Sequence, residues 1–256
     1  MKKIIIRISI VLVVLLIMAV IAMGMFLDKG IKAGITTVGP MVTKTDVKLD
    51  SVSLSILSGS GTVKGLVIGN PEGFKAPSAI SVGSAQLAIK PGSVLSDKII
   101  VKSVNVEAPD ITFELDLKGN NISKLLDNVK QTTGGSGGGD TKPKETPKTA
   151  ESAKASKKLE VDEFVISGGK IHVAVTALGG KGAVVPLPTI RLTDLGKGPE
   201  GITGPELFKV VLTEIEKEAV PAATKAAGDL TKDIGNLGKD AAEKTVKGIG
   251  DLFKKK

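Results

Sequence analysis

Residues able to move a proton or hold a metal are sparse in this chain. It has one histidine, His172, and no cysteine, tryptophan or tyrosine among its 256 residues. Thiol nucleophiles, disulfides and cysteine-based zinc sites are thereby excluded. Around His172, the alternation of Ile171, Val173 and Val175 puts the imidazole on the opposite, polar face of a strand. A lone imidazole there is a solvated strand residue, because no second His or Cys exists to complete a metal site. Carboxylates are present, but Glu107 and Glu114 stand singly in strand-like stretches, where such residues are common on wet faces. No phosphate-binding loop or metal-spaced cluster appears. The expectation is a protein that is not an enzyme, with no catalytic residue, no metal site and no cofactor.

The elements that would position any site begin with an uncharged run, Ile8 to Leu27. Its length matches the roughly 20 apolar residues that span a hydrocarbon core of about 30 Å. Lys2, Lys3 and Arg7 precede it, so the positive-inside rule keeps the N-terminus in the cytoplasm and sends the chain after Asp28 to the far side. A cleaved signal peptide has an apolar region of only about 7–15 residues, and Ala22-Met-Gly24 makes a poor cleavage site. Residues 1–28 are therefore expected to be an uncleaved single-pass anchor. The formal net charge of +8 then points to an anionic membrane surface as partner. Nucleic acid is disfavoured, since no Tyr or Trp is available to stack on bases.

After a Gly-containing connector over 28–43, the hydrophobic period becomes two. Val47 and Leu49 give way to Val52, Leu54 and Ile56 in the opposite phase; Ile80 and Val82 give way to Ala85, Leu87 and Ile89; Ile99 and Val101 to Val104 and Val106. Each flip predicts a bulge or a strand crossing between faces. Ile111, Phe113, Leu115 and Leu117 alternate cleanly with polar residues. Turn signals at Ser58–Gly61, Asn70–Gly73, Pro91-Gly92 and Pro109-Asp110 space these runs as in a meandering antiparallel sheet. In the second of them, Pro71 fixes φ and Gly73 admits positive φ, ending one strand and aiming the next, with Phe74 placed to plug an open end of the sheet.

Asn120 to Val129 reads as a short capped helix with Ile122, Leu125, Leu126 and Val129 on one side. Asn121-Ile-Ser123 also spells a glycosylation acceptor, for which the capping role is sufficient explanation. Residues 131–158 are rich in Gly, Ser, Thr, Pro, Lys and Glu and read as a disordered linker. Residues 159–202 return to strands of the same sheet, and Leu159 to Val175 echoes the hairpin of Leu49 to Lys64. Val184 to Leu192, with Pro186 and Pro188, reads as an edge segment. Thr203-Gly-Pro-Glu206 is a capping box opening a helix with Leu207, Val211, Leu212 and Ile215 inward. Pro221 interrupts that helix, and beyond it a Gly- and Lys-bearing amphipathic tail completes 203–256.

The ordered set Asn70-Pro71, Gly73-Phe74, Ser93-Val94-Leu95, Val101, Val104, Pro109, Ile111, Glu114, Asn121-Ile122 and Leu125, after one N-terminal apolar run, resembles the N-terminal β-module of the AsmA-like (AsmA/TamB-type) envelope proteins. The resemblance covers roughly residues 4–128, and places the module at 44–130. It implies a half-open, apolar-lined β-groove on the periplasmic side of the bacterial inner membrane, linked to phospholipid transport and outer-membrane homeostasis.

The expected architecture is thus mainly β with flanking helices: an N-terminal transmembrane helix, an antiparallel twisted sheet forming a half-open groove, and C-terminal amphipathic helices. The groove would be lined by Ile99, Val101, Ile111, Phe113, Leu115, Leu117, Ile171, Val173 and Val175, with Asn70, Pro71, Gly73 and Phe74 at its end. About eight or nine strands at about 4.8 Å give a sheet about 40 Å across, too narrow to bridge an envelope alone. Phospholipid is the expected ligand. The alternative is a tethered scaffold that docks other envelope proteins through its sheet edges or C-terminal helices.

Overall fold

The computed structural model describes residues 27–116, 119–134, 157–175 and 182–253, with side chains as far as Asp229. The expected anchor up to residue 26, most of the expected linker, Leu117 and the side chains of the C-terminal tail lie outside the described residues. A helix, α1, covers 27–43. Seven strands follow: β1 (Val47–Lys48), β2 (Ser51–Ser55), β3 (Ser60–Gly69), β4 (Ser78–Ile89), β5 (Lys98–Glu107), β6 (Asp110–Asp116) and β7 (Gly119–Asn120). Helix α2 (Asn121–Thr133) leads on to β8 (Lys158–Ser167), β9 (Lys170–Val175), β10 (Gly182–Pro186) and β11 (Ile190–Leu195), and α3 (Gly204–Phe253) closes the chain.

All eleven strands belong to one open sheet. Its ladders are mixed, which corrects the expected antiparallel meander: β5 runs parallel to β8 and β6 parallel to β9, while the other pairs are antiparallel. A parallel partner needs a crossover of a dozen or more residues, and α2 with the stretch after it supplies one. Pro109-Asp110 and Ser167–Gly169 are not hairpin turns. β5 and β6 continue in one direction past Ala108-Pro109, both antiparallel to β4, and β8 and β9 do the same past Gly168-Gly169. The pairs β1/β2 and β11/β10 are likewise halves of longer strands. Laterally the sheet is therefore β1/β2, β3, β4, β5/β6, β8/β9, β11/β10, only about 24 Å across at the usual spacing, narrower than expected.

The bends are aligned from strand to strand. Ala108 N donates to Ser167 O (2.8 Å), Lys170 N to Pro109 O (2.9 Å) and Leu187 N to Gly169 O (2.9 Å), so the ladder survives the corner. Positive φ at Ala108 (47°) and Gly168 (66°) makes the turn in two neighbouring strands. Lys98 lies opposite Lys158 and Asp110 opposite Lys170, the same 60-residue offset on both sides of the corner. The flip between Val101 and Val104 is a bulge, with the β4–β5 register shifting between Ala88 and Ile89.

Helices α2 and α3 close one face. Ile122, Leu125, Leu126 and Val129 of α2 are fully buried, as is Leu212 of α3, with Val211, Ile215, Ala219, Ala223 and Ala227 continuing the inward stripe. Each fully buried Leu or Ile contributes about 1.5–3 kcal/mol. That packing explains two departures from the sequence reading. Pro221 sits inside α3 without ending it, because the buried stripe on both sides outweighs the ~3 kcal/mol that an interior proline costs. The stretch read as a connector is helix α1, although Gly30, Gly34, Gly39 and Pro40 disfavour it; Ile35 and Val42 join the core. Gly39 has a positional reason: a Cβ there would stand 3.0 Å from the Val47 side chain, so glycine lets α1 lie against β1.

Candidate functional site

Between α1 and the sheet lies a cavity of about 500 Å³. Ile31, Gly34, Ile35, Val38, Gly39 and Val42 of α1 form one wall. Val47, Leu66 and Ile68 of β1 and β3 face Leu159 of β8 and Pro205 and Phe208 of α3 across it, and Lys157 is the charged residue on its lining. Ile31 and Val38 are 36% and 44% exposed, which leaves the cavity open along that side of α1. Gly34 contributes by absence: apart from its own helix backbone and chain neighbours, no atom lies within 4 Å of the position its Cβ would take. Lys157 donates from Nζ to Val94 O at 2.6 Å.

Among the described residues, none of those expected to line a groove lines this cavity. Ile111, Phe113 and Ile171 are fully buried, and Val173, Val101 and Val175 nearly so, in the core that α2 and α3 cover; Ile99 and Leu115 pack partly buried against it. The alternation marked the apolar face correctly, but helices contributed by the chain itself seal that part of it. The wall that sequence reasoning missed was legible as Ile31, Ile35, Val38 and Val42, spaced by four, three and four residues. Glycines and Pro40 between them obscured it.

The turn after β3 is fixed by a buried polar cluster. Glu114, 4% exposed and so not on a wet face as expected, accepts from Lys75 N and Ala76 N, both at 2.9 Å, and from Asn70 Nδ2 at 3.1 Å. Asn121, fully buried, donates from Nδ2 to Asn70 Oδ1 (2.8 Å) and Thr112 O (2.7 Å), while Glu114 N donates to its Oδ1 (2.9 Å). That burial leaves no room for a glycan. Asn120 is the cap of α2, accepting from Ser123 N at 2.8 Å. Pro71 is buried and Gly73 takes φ 99°. Phe74 lines a separate recess of about 170 Å³ with Asp46, Lys48 and Gly69, and no wall of the apolar cavity.

His172 is exposed on the polar side of β9, where Nε2 meets Asp110 Oδ1 at 2.9 Å. The pair lies on the opposite side of the strand from the buried Ile171 and Val173 and away from the cavity. At the start of α3 the capping box is made: Thr203 N donates to Glu206 Oε2 (2.8 Å) and Glu206 N to Thr203 Oγ1 (3.3 Å). Hydrogen bonds from the Thr203 backbone and then its hydroxyl hold the Glu206 carboxyl below its usual range. Hydrogen bonding to Asp194 raises the Lys197 ammonium. Among the described residues no three His, Asp or Glu side chains are grouped to hold a metal ion, and no helix is long and apolar enough to cross a membrane. No protein-family model matches the chain, and no similar protein was found among curated sequences or solved structures.

Proposed function

We propose that the chain is a membrane-anchored, non-enzymatic module that holds a phospholipid acyl chain in the cavity between α1 and the sheet, serving lipid homeostasis in a bacterial envelope. The cavity carries this reading: about 500 Å³, almost wholly apolar and open on one side, it falls within the range of about 300–1,000 Å³ typical of small-ligand sites. Its position supports the reading too. α1 follows directly on the uncharged run Ile8–Leu27, and at about 1.5 Å per helical residue its lining from Ile31 to Val42 lies about 6–22 Å beyond that run. A lipid lifted from the bilayer would meet apolar surface within that distance. The AsmA-like resemblance implies the same class of activity.

Mass spectrometry of organic extracts from the full chain, purified in mild detergent, tests the proposal. Phospholipid near stoichiometry is expected, and Gly34→Leu should abolish it by filling the cavity. Open space around Gly34 and the helix preference of Leu over Gly mean that this variant keeps its stability. A folded wild-type chain that carries no lipid, or a Gly34→Leu chain that carries as much, overturns the reading. Phe113→Asp is unsuitable as a probe, since a fully buried Phe reports on folding instead.

A further inference from the structure

Two large apolar side chains stand far out of the fold at one end of the sheet. Leu57, in the β2–β3 hairpin, is 80% exposed, and Leu95, in the β4–β5 connection, is 76% exposed. The two loops are held side by side: Ile89 N donates to Gly59 O at 2.6 Å, and a Cβ on Gly59 would collide with Ile89 O and touch Pro91. Behind Leu95 the loop is anchored, because Val94 and Ser93 are buried and Ser93 Oγ accepts from Ile100 N at 2.9 Å. Leu95 is thus presented by a fixed loop rather than by a frayed one. The same end of the sheet receives the start of α1, where Asp28 Oδ1 accepts from Leu54 N at 2.8 Å, next to the hairpin tip. Exposed Lys29, Lys90 and Lys157 surround the loops, with Asp97, Glu200 and Asp194 the exposed acids towards that end, Asp194 being paired with the exposed Lys197.

We infer that this end is a membrane-docking surface, with Leu57 and Leu95 inserted into the interface of an anionic bilayer and the lysines against its headgroups. The inference rests on reading Ile8–Leu27 as a bilayer anchor, since Asp28 ties the end of that run to the loops. An exposed apolar pair rimmed by basic residues is the composition of an interfacial contact, and the adjoining anchor selects lipid as its occupant. With the loops seated, Lys157 and the cavity behind it also face the bilayer.

The chain has no tryptophan, so Leu57→Trp and Leu95→Trp each introduce a unique fluorophore at a site where little packing is disturbed; Glu72→Trp, in the exposed turn at the opposite end, is the control. Full-length variants are reconstituted into vesicles of phosphatidylcholine with a minority of phosphatidylglycerol, with or without brominated acyl chains. Loss of L57W and L95W emission in brominated vesicles, with E72W unchanged, is the expected result. If the protein resists alkaline extraction from the vesicles yet L57W and L95W are unquenched, the docking surface is refuted while the anchor stands. Blue-shifted emission without bromine quenching would mean that protein, a second copy included, covers the loops, and refutes lipid as the occupant. Release of the chain by alkaline extraction removes the anchor and this inference with it.

Discussion

Glu114 gathers three donors, Asn70 Nδ2, Lys75 N and Ala76 N, from a loop about forty residues away in sequence. Glu114→Ala should lower stability by about 2–4 kcal/mol in chemical denaturation, because the loop loses several hydrogen bonds to a charged acceptor, each worth about 1.5–3 kcal/mol; Glu114→Gln, which keeps one acceptor oxygen, should cost less. Glu206 makes a smaller, pH-dependent contribution. Its folded pKa is lowered from 4.5, so the stability it adds is present above that value and disappears as pH falls through the folded pKa. Thr203→Ala should cost about 1 kcal/mol at neutral pH, and the difference from wild type should shrink in acid denaturation profiles below about pH 4. The capping box could be read from four consecutive residues. The Glu114 cluster could not, since period-two alternation assigns Glu114 to the wet face; only the loop folding back over it buries the carboxylate. Asn70, Glu114 and Asn121, far apart in the chain, nevertheless meet in space.

Among the elements, α1 carries two glycines with opposite roles. Gly34→Ala should raise stability by up to about 1 kcal/mol, the ordinary helix preference of Ala over Gly. Gly39→Ala should lower it despite the same preference, because its Cβ would press on Val47 at 3.0 Å. Thermal unfolding of the two variants side by side tests whether contact or propensity governs each position. Sequence signals for the strands were strong because their alternation is local. Pairing was harder to see. The apolar positions 99, 101, 104, 106, 111, 113 and 115 are matched by 159, 161, 164, 166, 171, 173 and 175, yet a Gly-Gly pair between two apolar runs looks like a hairpin turn. What distinguishes a corner from a hairpin is the neighbouring strand bending at the same level, which is a long-range fact.

For the whole molecule, the two sheet margins are treated differently. At the β2 margin α1 makes polar contacts, Asp28 with Leu54 N and Lys32 Nζ with Asp50 O (2.7 Å). The β10–β11 margin is protected by chemistry instead. Leu187 N points inward to Gly169, so Pro186 and Pro188 on either side place their missing N–H groups on the outer edge, where proline blunts strand addition. Pro186→Val with Pro188→Val should restore two outward donors and produce concentration-dependent self-association in sedimentation velocity, with wild type as the comparison. Docking of a partner strand on this margin, one of the routes open to the scaffold alternative, is disfavoured by the same prolines.

The corner in the sheet is set within each strand, at Ala108 and at Gly168, and not by the loops that join the strands. A tandem copy of the coding stretch for one bent strand would therefore bring its own bend, at the right height, into a neighbour's ladder. Growth by duplication would widen such a bent sheet while keeping its corner in register. The 60-residue offset between β5/β6 and β8/β9 is the form that one such event would leave behind.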